Sequence, residues 1–203
     1  MKRKRMNPLK CVVCLKPVPH QRFWDRLKLD PETGTLDRSD IPCMMSPLDK
    51  NALEEALRIK EATGGTITAI SMGPPGTEGI LEWAIVLGAD EAILLTDQTF
   101  AGADTWATAY VLAAGIRRLG GTDLVFLGNE SLDGSTGQVG PQVAEFLDMP
   151  HVTHVDRVDM VDDVTLRVGC RIEPGHMDLE VKMPVVLAVE KGINEPRAPS
   201  IWG

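Results

Sequence analysis

Residues 66–96, TITAISMGPPGTEGILEWAIVLGADEAILLT, decide the fold. Residues 66–71 form a short apolar run, Gly73-Pro74-Pro75-Gly76 turns the chain, Ile80, Leu81, Ala84 and Leu87 recur on one helical face, and residues 91–96 are apolar again. The same order is written on both sides. Residues 9–15 predict a strand, and after an irregular stretch Ser46-Pro47-Leu48-Asp49 reads as a helix start: a Ser N-cap, Pro at the first position and an acid in the first turn. Leu53, Ala56, Leu57 and Lys60 continue it until Gly64-Gly65. Further on, residues 101–105 open a helix expected to carry Trp106, Ala109, Ala113 and Ile116 on one side, and DLVFLG (123–128) is the next strand. Near-continuous apolar strands alternating with helices mean an α/β fold, a mainly parallel sheet with helices on both faces.

Residues 16–45 are irregular, with a small hairpin expected around LKLDPETGTLD (27–37). After Pro150 the pattern changes to HVTHVDRV, VTLRVGCRI, DLEVKM and PVVLAVE, with no helix between them. These strands are expected either to extend the sheet in antiparallel fashion or to form a flap. The organisation expected is a single domain over 1–203: a basic leader (1–8), a βα core (9–150), additional strands (151–192) and a Pro-containing end (193–203). At that end Ile201 and Trp202 have no later partner, which reads either as fraying or as a docking loop.

The chain has 203 residues, 43% hydrophobic and 25% charged, which is globular rather than disordered, and a net charge of -8, which argues against nucleic-acid backbone or anionic membrane as partner. No apolar stretch is long enough to span a bilayer, and the basic start is too short and badly flanked for a signal peptide, so a cytoplasmic protein is expected. Cys11, Cys14, Cys43 and Cys170 fit free thiols in a reducing compartment. Cys11 and Cys14 form a CxxC pair, but inside a strand their side chains point to opposite faces, and core packing is the better reading than a redox or zinc motif. The four histidines are scattered, so no metal site is expected.

In such folds ligands bind beyond the carboxyl ends of the strands. The stretch ESLDGSTGQVGPQVAEFL (130–147) follows one of them. Pro141 has no N–H, so regular helical bonding should begin near it, leaving the amides of residues 135–140 as candidates to be free at a helix N-terminus. Gly134, Gly137 and Gly140 would let a ligand approach. From Gly121 to Asp156 there is no Lys or Arg, so a phosphate here must be held by backbone dipoles and hydroxyls, and triphosphate hydrolysis is disfavoured. The loop reads either as such a cradle or as a plain Gly-rich turn.

In their order, VVCLKPVP (12–19), SPLDKNALEEALRIKE (46–61), ISMGPPGTEGILEWAIVLGADEAILL (70–95), the Asp-x-x-Thr-Gly-Gln string at 133–138 and MPVVLAVEKGINEPRAPSI (183–201) resemble the β subunit of electron transfer flavoprotein over nearly the whole chain. The resemblance implies a Rossmann-like adenine-nucleotide-binding fold and a heterodimer with an α subunit. FAD lies mainly in that α subunit, and the β subunit encloses an adenine nucleotide, usually AMP. It implies nucleotide contacts at Cys14, Ser46, Pro47, Leu48, Asp49, Met72, Gly128, Asn129, Ser131, Asp133, Ser135, Thr136, Gly137, Gln138 and Val139. It also implies a segment that docks onto acyl-CoA dehydrogenase-type flavoproteins, with Pro196, Arg197 and the anchor Ile201. LDPETGTLDR, FAGADTWAT and GQVGPQVAE resemble the branch that takes electrons from NADH and bifurcates them, where a second FAD replaces AMP; that branch commonly has Asp and Ala at the positions of Ser135 and Gly137. The motifs favour FAD, with AMP the other candidate. In the family the chain continues past the position of Gly203 as an arm around the α subunit, and Met1–Asn7 precede the usual start; either the arm lies outside this sequence or subunit association is weaker here. The subunit is expected to be an electron carrier rather than an enzyme alone. Two rivals are a stand-alone adenine-nucleotide sensor and a thiol oxidoreductase using Cys11 and Cys14.

Overall fold

The computed structural model describes residues 8–29, 36–37 and 41–199. In chain order its strands and α-helices are β1 (Lys10–Cys14), β2 (Pro17–Pro19), β3 (Lys28–Leu29), β4 (Leu36–Asp37), β5 (Cys43–Met45), α1 (Pro47–Thr63), β6 (Thr66–Met72), α2 (Glu78–Leu87) and β7 (Glu91–Leu95). Then follow α3 (Thr105–Arg118), β8 (Leu124–Gly128), α4 (Val139–Leu147), β9 (His151–Met160), β10 (Thr165–Ile172), β11 (Gly175–Lys182) and β12 (Val185–Val189).

Eight strands make one sheet in the order β11-β10-β9-β12-β8-β1-β6-β7. Strands β1, β6, β7, β8 and β12 pair in parallel, as their continuous apolar runs require when both faces are covered. Helices α1 and α2 cover one face, where Leu53, Leu57, Ile80, Leu81 and Ala84 meet Cys11, Val13, Ile67 and Phe126. Helices α3 and α4 cover the other, where Ala109, Leu112, Ile116 and Val143 meet Val12, Cys14, Ile70 and Val125. The expected α/β architecture with helices on both faces is therefore present, and Cys11 and Cys14 do lie on opposite faces.

The later strands resolve the choice between sheet extension and flap, with one addition. Strand β10 is antiparallel to both β9 and β11, extending the sheet. The last apolar run, however, does not follow them outward: β12 returns to the interior between β8 and β9 and runs parallel to both. All five of its residues are buried, the state that a run of Val, Leu and Ala with no polar alternation suits. The hairpin around residues 27–37 is present in its paired ends, Lys28 opposite Asp37 and Leu29 opposite Leu36. The leader Met1–Asn7, the hairpin tip at residues 30–35, and Ile201 with Trp202 lie outside the described residues.

The residues expected on one side of α3 differ in depth. Trp106 is 55% exposed while Ala109, Ala113 and Ile116 are buried. It sits in the first turn of α3, where its ring lies against Phe146 of α4, 4.7 Å between centroids, with Tyr110 on the same phenyl ring at 5.4 Å. Helical spacing gives its side, and its place at the end of the helix leaves it exposed. Among the described residues no helix is long and apolar enough to cross a membrane.

Candidate functional site

The carboxyl ends of β1 and β8 are joined by one side chain. Asp49, in the first turn of α1, accepts a hydrogen bond from Lys16 N–H at 2.7 Å and from Gly128 N–H at 2.8 Å, one on each oxygen. Burial raises its carboxyl from the ordinary value to about 7, against the opposing pull of those two N–H groups and the Lys16 charge. Helix α1 can come this close only because residue 128 lacks a side chain: a Cβ there would stand 2.6 Å from Leu48 Cβ and 2.8 Å from Asp49 Oδ1. Gly128 and Leu48 thus form a packing contact, and Asp49 holds two strand ends in register.

Ser46 precedes α1, yet it does not cap it. Its N–H donates to Lys16 C=O at 3.0 Å and its own C=O takes the first helical bond, from Lys50, but the hydroxyl makes no capping bond. With ψ at 135° and Pro47 behind it, the residue is extended, and its Oγ is buried without a partner. An unpaired buried hydroxyl costs roughly 1–3 kcal/mol, so a group that completes it is favoured here. Ser71 Oγ, one residue before Met72 at the end of β6, is buried and unpaired in the same way. Met72 itself packs, half-buried, against the core under α3 and α4.

After β8 the chain forms the Gly-rich loop. Ser135 N–H and Oγ–H both donate to Ser131 C=O, at 2.9 and 3.1 Å, so the Ser135 amide, expected free, is engaged. Ser135 and Gly137 take positive φ, 44° and 63°. The first regular bond of α4 runs from Gln142 N–H to Gln138 C=O, one residue past Pro141, as the missing N–H of proline predicts. Between these limits the amides of residues 136–140 donate to no backbone carbonyl among the described residues. The glycines divide: Gly137 supplies the left-handed turn, whereas a Cβ on Gly140 would meet Ala188 Cβ at 3.3 Å, so that glycine serves helix-to-sheet packing rather than ligand approach. Gln138 accepts from Thr105 Oγ–H at 3.1 Å, tying the loop to the start of α3, and Val139 packs on the core below. Asn129 is occupied by His154, whose N–H it accepts at 3.0 Å.

The loop is not without a cation. Lys16, just past β1, places Nζ 2.7 Å from Asp133 Oδ1 and 3.0 Å from Ser131 Oγ. Where the local sequence offers hydroxyls and dipoles alone, the fold brings an ammonium to the loop from a residue 117 positions away. The signal available in the sequence was its position immediately after a strand, where α/β ligands bind.

The structure thus gathers Lys16, Ser46, Leu48, Asp49, Gly128, Ser131 and Asp133 at one end of the sheet. Arg197 lies elsewhere, along α1, with its Nε 2.8 Å from Glu54 Oε2 and its Nη1 2.5 Å from Glu61 Oε1. Neighbouring Asn194 exchanges side-chain and backbone hydrogen bonds with Asn51. Pro196 is exposed beside it.

The CxxC thiols have no redox geometry. Burial, with the Asp49 charge, pushes the Cys14 thiol up to about 12, and burial with Asp123 does the same for Cys11. Cys170 is also buried and only Cys43 is exposed. We expect a thiol reagent at pH 8 to modify one cysteine per native chain, Cys43, and the other three only after unfolding; fast modification of Cys14 in the native protein would contradict this.

A parallel sheet whose central strand ends in a Gly-rich loop with free amides, beside a helix start carrying an unpaired hydroxyl, defines an α/β domain of the kind that binds ligands at its strand ends. Residues 33–201 match the model of the electron transfer flavoprotein domain. The chain belongs to the electron transfer flavoprotein family, among its β subunits. It is 48% identical to electron transfer flavoprotein subunit beta of Clostridium acetobutylicum, over 94% of this chain and 71% of that one. It is 42% identical to the caffeyl-CoA reductase-Etf complex subunit CarD of Acetobacterium woodii, over 96% and 73%. To the acryloyl-CoA reductase electron transfer subunit gamma of Anaerotignum propionicum it is 36% identical, again over 96% and 73%.

Proposed function

We propose that this chain pairs with an α subunit and holds an adenine nucleotide, FAD, at the strand ends of β1, β6 and β8, in a complex that carries electrons from NADH or flavin dehydrogenases of the acyl-CoA dehydrogenase type to downstream acceptors. The observation that carries the reading is the loop at residues 136–140, whose amides are not used by the backbone, set after β8 with the unpaired Ser46 hydroxyl on the neighbouring helix start. Amides converging at a helix N-terminus favour an anion, and the phosphates of a dinucleotide supply one. The bound flavin would supply the redox chemistry. The chain's own residues bind and orient it: amides and hydroxyls hold phosphate, Asp49 fixes the two strand ends, and the left-handed Ser135 and Gly137 shape the loop.

The motifs that resemble the bifurcating branch favour FAD over the single-electron shuttle, and relatives named as subunits of caffeyl-CoA and acryloyl-CoA reductase complexes support a place in a reductase-linked electron-transfer complex. AMP is the second reading, since it shares the adenosine phosphate half and would use the same loop. The unbridged cysteines support a cytoplasmic setting. Co-expression with the α subunit, denaturation of the purified complex and chromatography of the released nucleotides test the reading. Two FAD per heterodimer are expected. One FAD with one AMP would move the assignment to the shuttle, and no nucleotide beyond the α subunit's FAD would contradict the site.

A further inference from the structure

We infer that Lys16 is the phosphate-binding cation of this site, held in position by Asp133 and Ser131. The inference rests on the nucleotide reading above and deepens it. Three observations carry it. The chain from Gly121 to Asp156, which includes the whole loop, contains no Lys or Arg, so any full positive charge facing an anion there comes from another element. Lys16 reaches in from the end of β1, and its Nζ stands 2.7 Å from Asp133 Oδ1, 3.0 Å from Ser131 Oγ and 3.7 Å from the place a Cβ on Gly134 would occupy. The backbone beneath it is fixed at both polar groups: its N–H donates to Asp49, and its C=O accepts from Ser46 N–H.

The two halves of the ion pair are unlike. The Lys16 side chain is 45% exposed, whereas that of Asp133 is 5% exposed. A nearly buried carboxylate beside an anion site repels the anion unless it is neutralised, and the half-exposed ammonium keeps an open side for a second anion while it stays on that carboxylate. An ammonium has three donors and acts as a compact point charge. Lys16 can therefore keep Asp133 neutralised and donate to a phosphate oxygen together, next to the amides that follow Ser135. This divides the labour of the loop: amides set direction, and a cation contributed by another strand sets affinity.

The test compares AMP with adenosine, which lacks the phosphate, by calorimetry on the nucleotide-stripped complex with the α subunit. Lys16→Met is expected to weaken AMP binding roughly 10–100-fold, the range of a charge-assisted hydrogen bond, and to leave adenosine binding unchanged. Lys16→Arg should keep most of the AMP affinity, and the loss in Lys16→Met should shrink as salt is raised. The double variant Lys16→Met/Asp133→Asn separates contact from neutralisation: it should remain weak for AMP. Restoration of AMP affinity in the double variant, or wild-type AMP affinity in Lys16→Met, would overturn the inference while leaving the nucleotide site standing. Wild-type complex that takes up neither compound would overturn the nucleotide reading itself, and the role of Lys16 with it.

Discussion

Alanine at Gly128 is expected to cost the chain roughly 3 kcal/mol of stability, at the upper end of what an added methyl group does in a packed interior. The added carbon would lie 2.6 Å from Leu48 Cβ and 3.1 Å from the Leu48 carbonyl carbon, atoms fixed to the first turn of a 17-residue helix, so no side chain can swing aside. Helix α1 must then move away from β8. That movement lengthens the Gly128 N–H to Asp49 bond and shifts the helix start that carries Ser46, so nucleotide content should fall with stability. Gly192→Ala is the control: no atom of the described residues lies within 4 Å of its Cβ position, and a change within about 0.5 kcal/mol is expected. Urea unfolding of both variants checks the prediction, and equal midpoints would mean that the close approach of α1 to β8 is wrong.

The second large effect concerns Asp49 and pH. Its folded carboxyl titrates near 7, well above an unfolded aspartate, because burial disfavours the charge more than the Lys16 and Gly128 amides favour it. Below the unfolded value the group is protonated in both states and contributes no pH dependence. As pH rises from about 4 to about 7 the unfolded chain releases its proton first, and stability falls. Wild type should therefore lose roughly 3 kcal/mol relative to Asp49→Asn between pH 5 and pH 8. The other charged groups around it, Lys16 and Asp133, are common to both proteins and cancel in the difference. A difference that is flat across this range would show that the carboxylate is ionised in the fold throughout. At every pH Asp49→Ala should be less stable than Asp49→Asn, since it leaves both amides without an acceptor.

These two residues also show what the sequence could and could not carry. The parallel core was legible because its strands and helices repeat a local pattern, and Pro141 marked the start of α4 to within two residues because a missing N–H is a local fact. Position 49 was legible as a helix-start acid, but its partners come from elements 33 and 79 residues away, and no spacing rule reaches that far. Lys16 escaped for the same reason. Ser46 has the residue type of a cap and not the geometry, because the chain leaving β5 enters α1 with that hydroxyl directed away from the helix amides. The place of β12 was closed to pattern reading altogether: PVVLAVE says that a strand is buried, and only the assembled sheet says between which neighbours. The side of Trp106 was legible and its exposure was not, since periodicity gives a side chain's direction and the end of a helix decides whether anything covers it.

Amide hydrogen exchange on the complex with the α subunit, followed with and without added AMP, tests the central claim most directly. The amides of residues 136–140, which donate to no backbone carbonyl among the described residues, should slow markedly when the nucleotide is present. The amide of Ser135, already bonded to Ser131, should change little. Unchanged exchange across residues 136–140 with AMP bound would contradict it, because the nucleotide would then be held by some other part of the molecule.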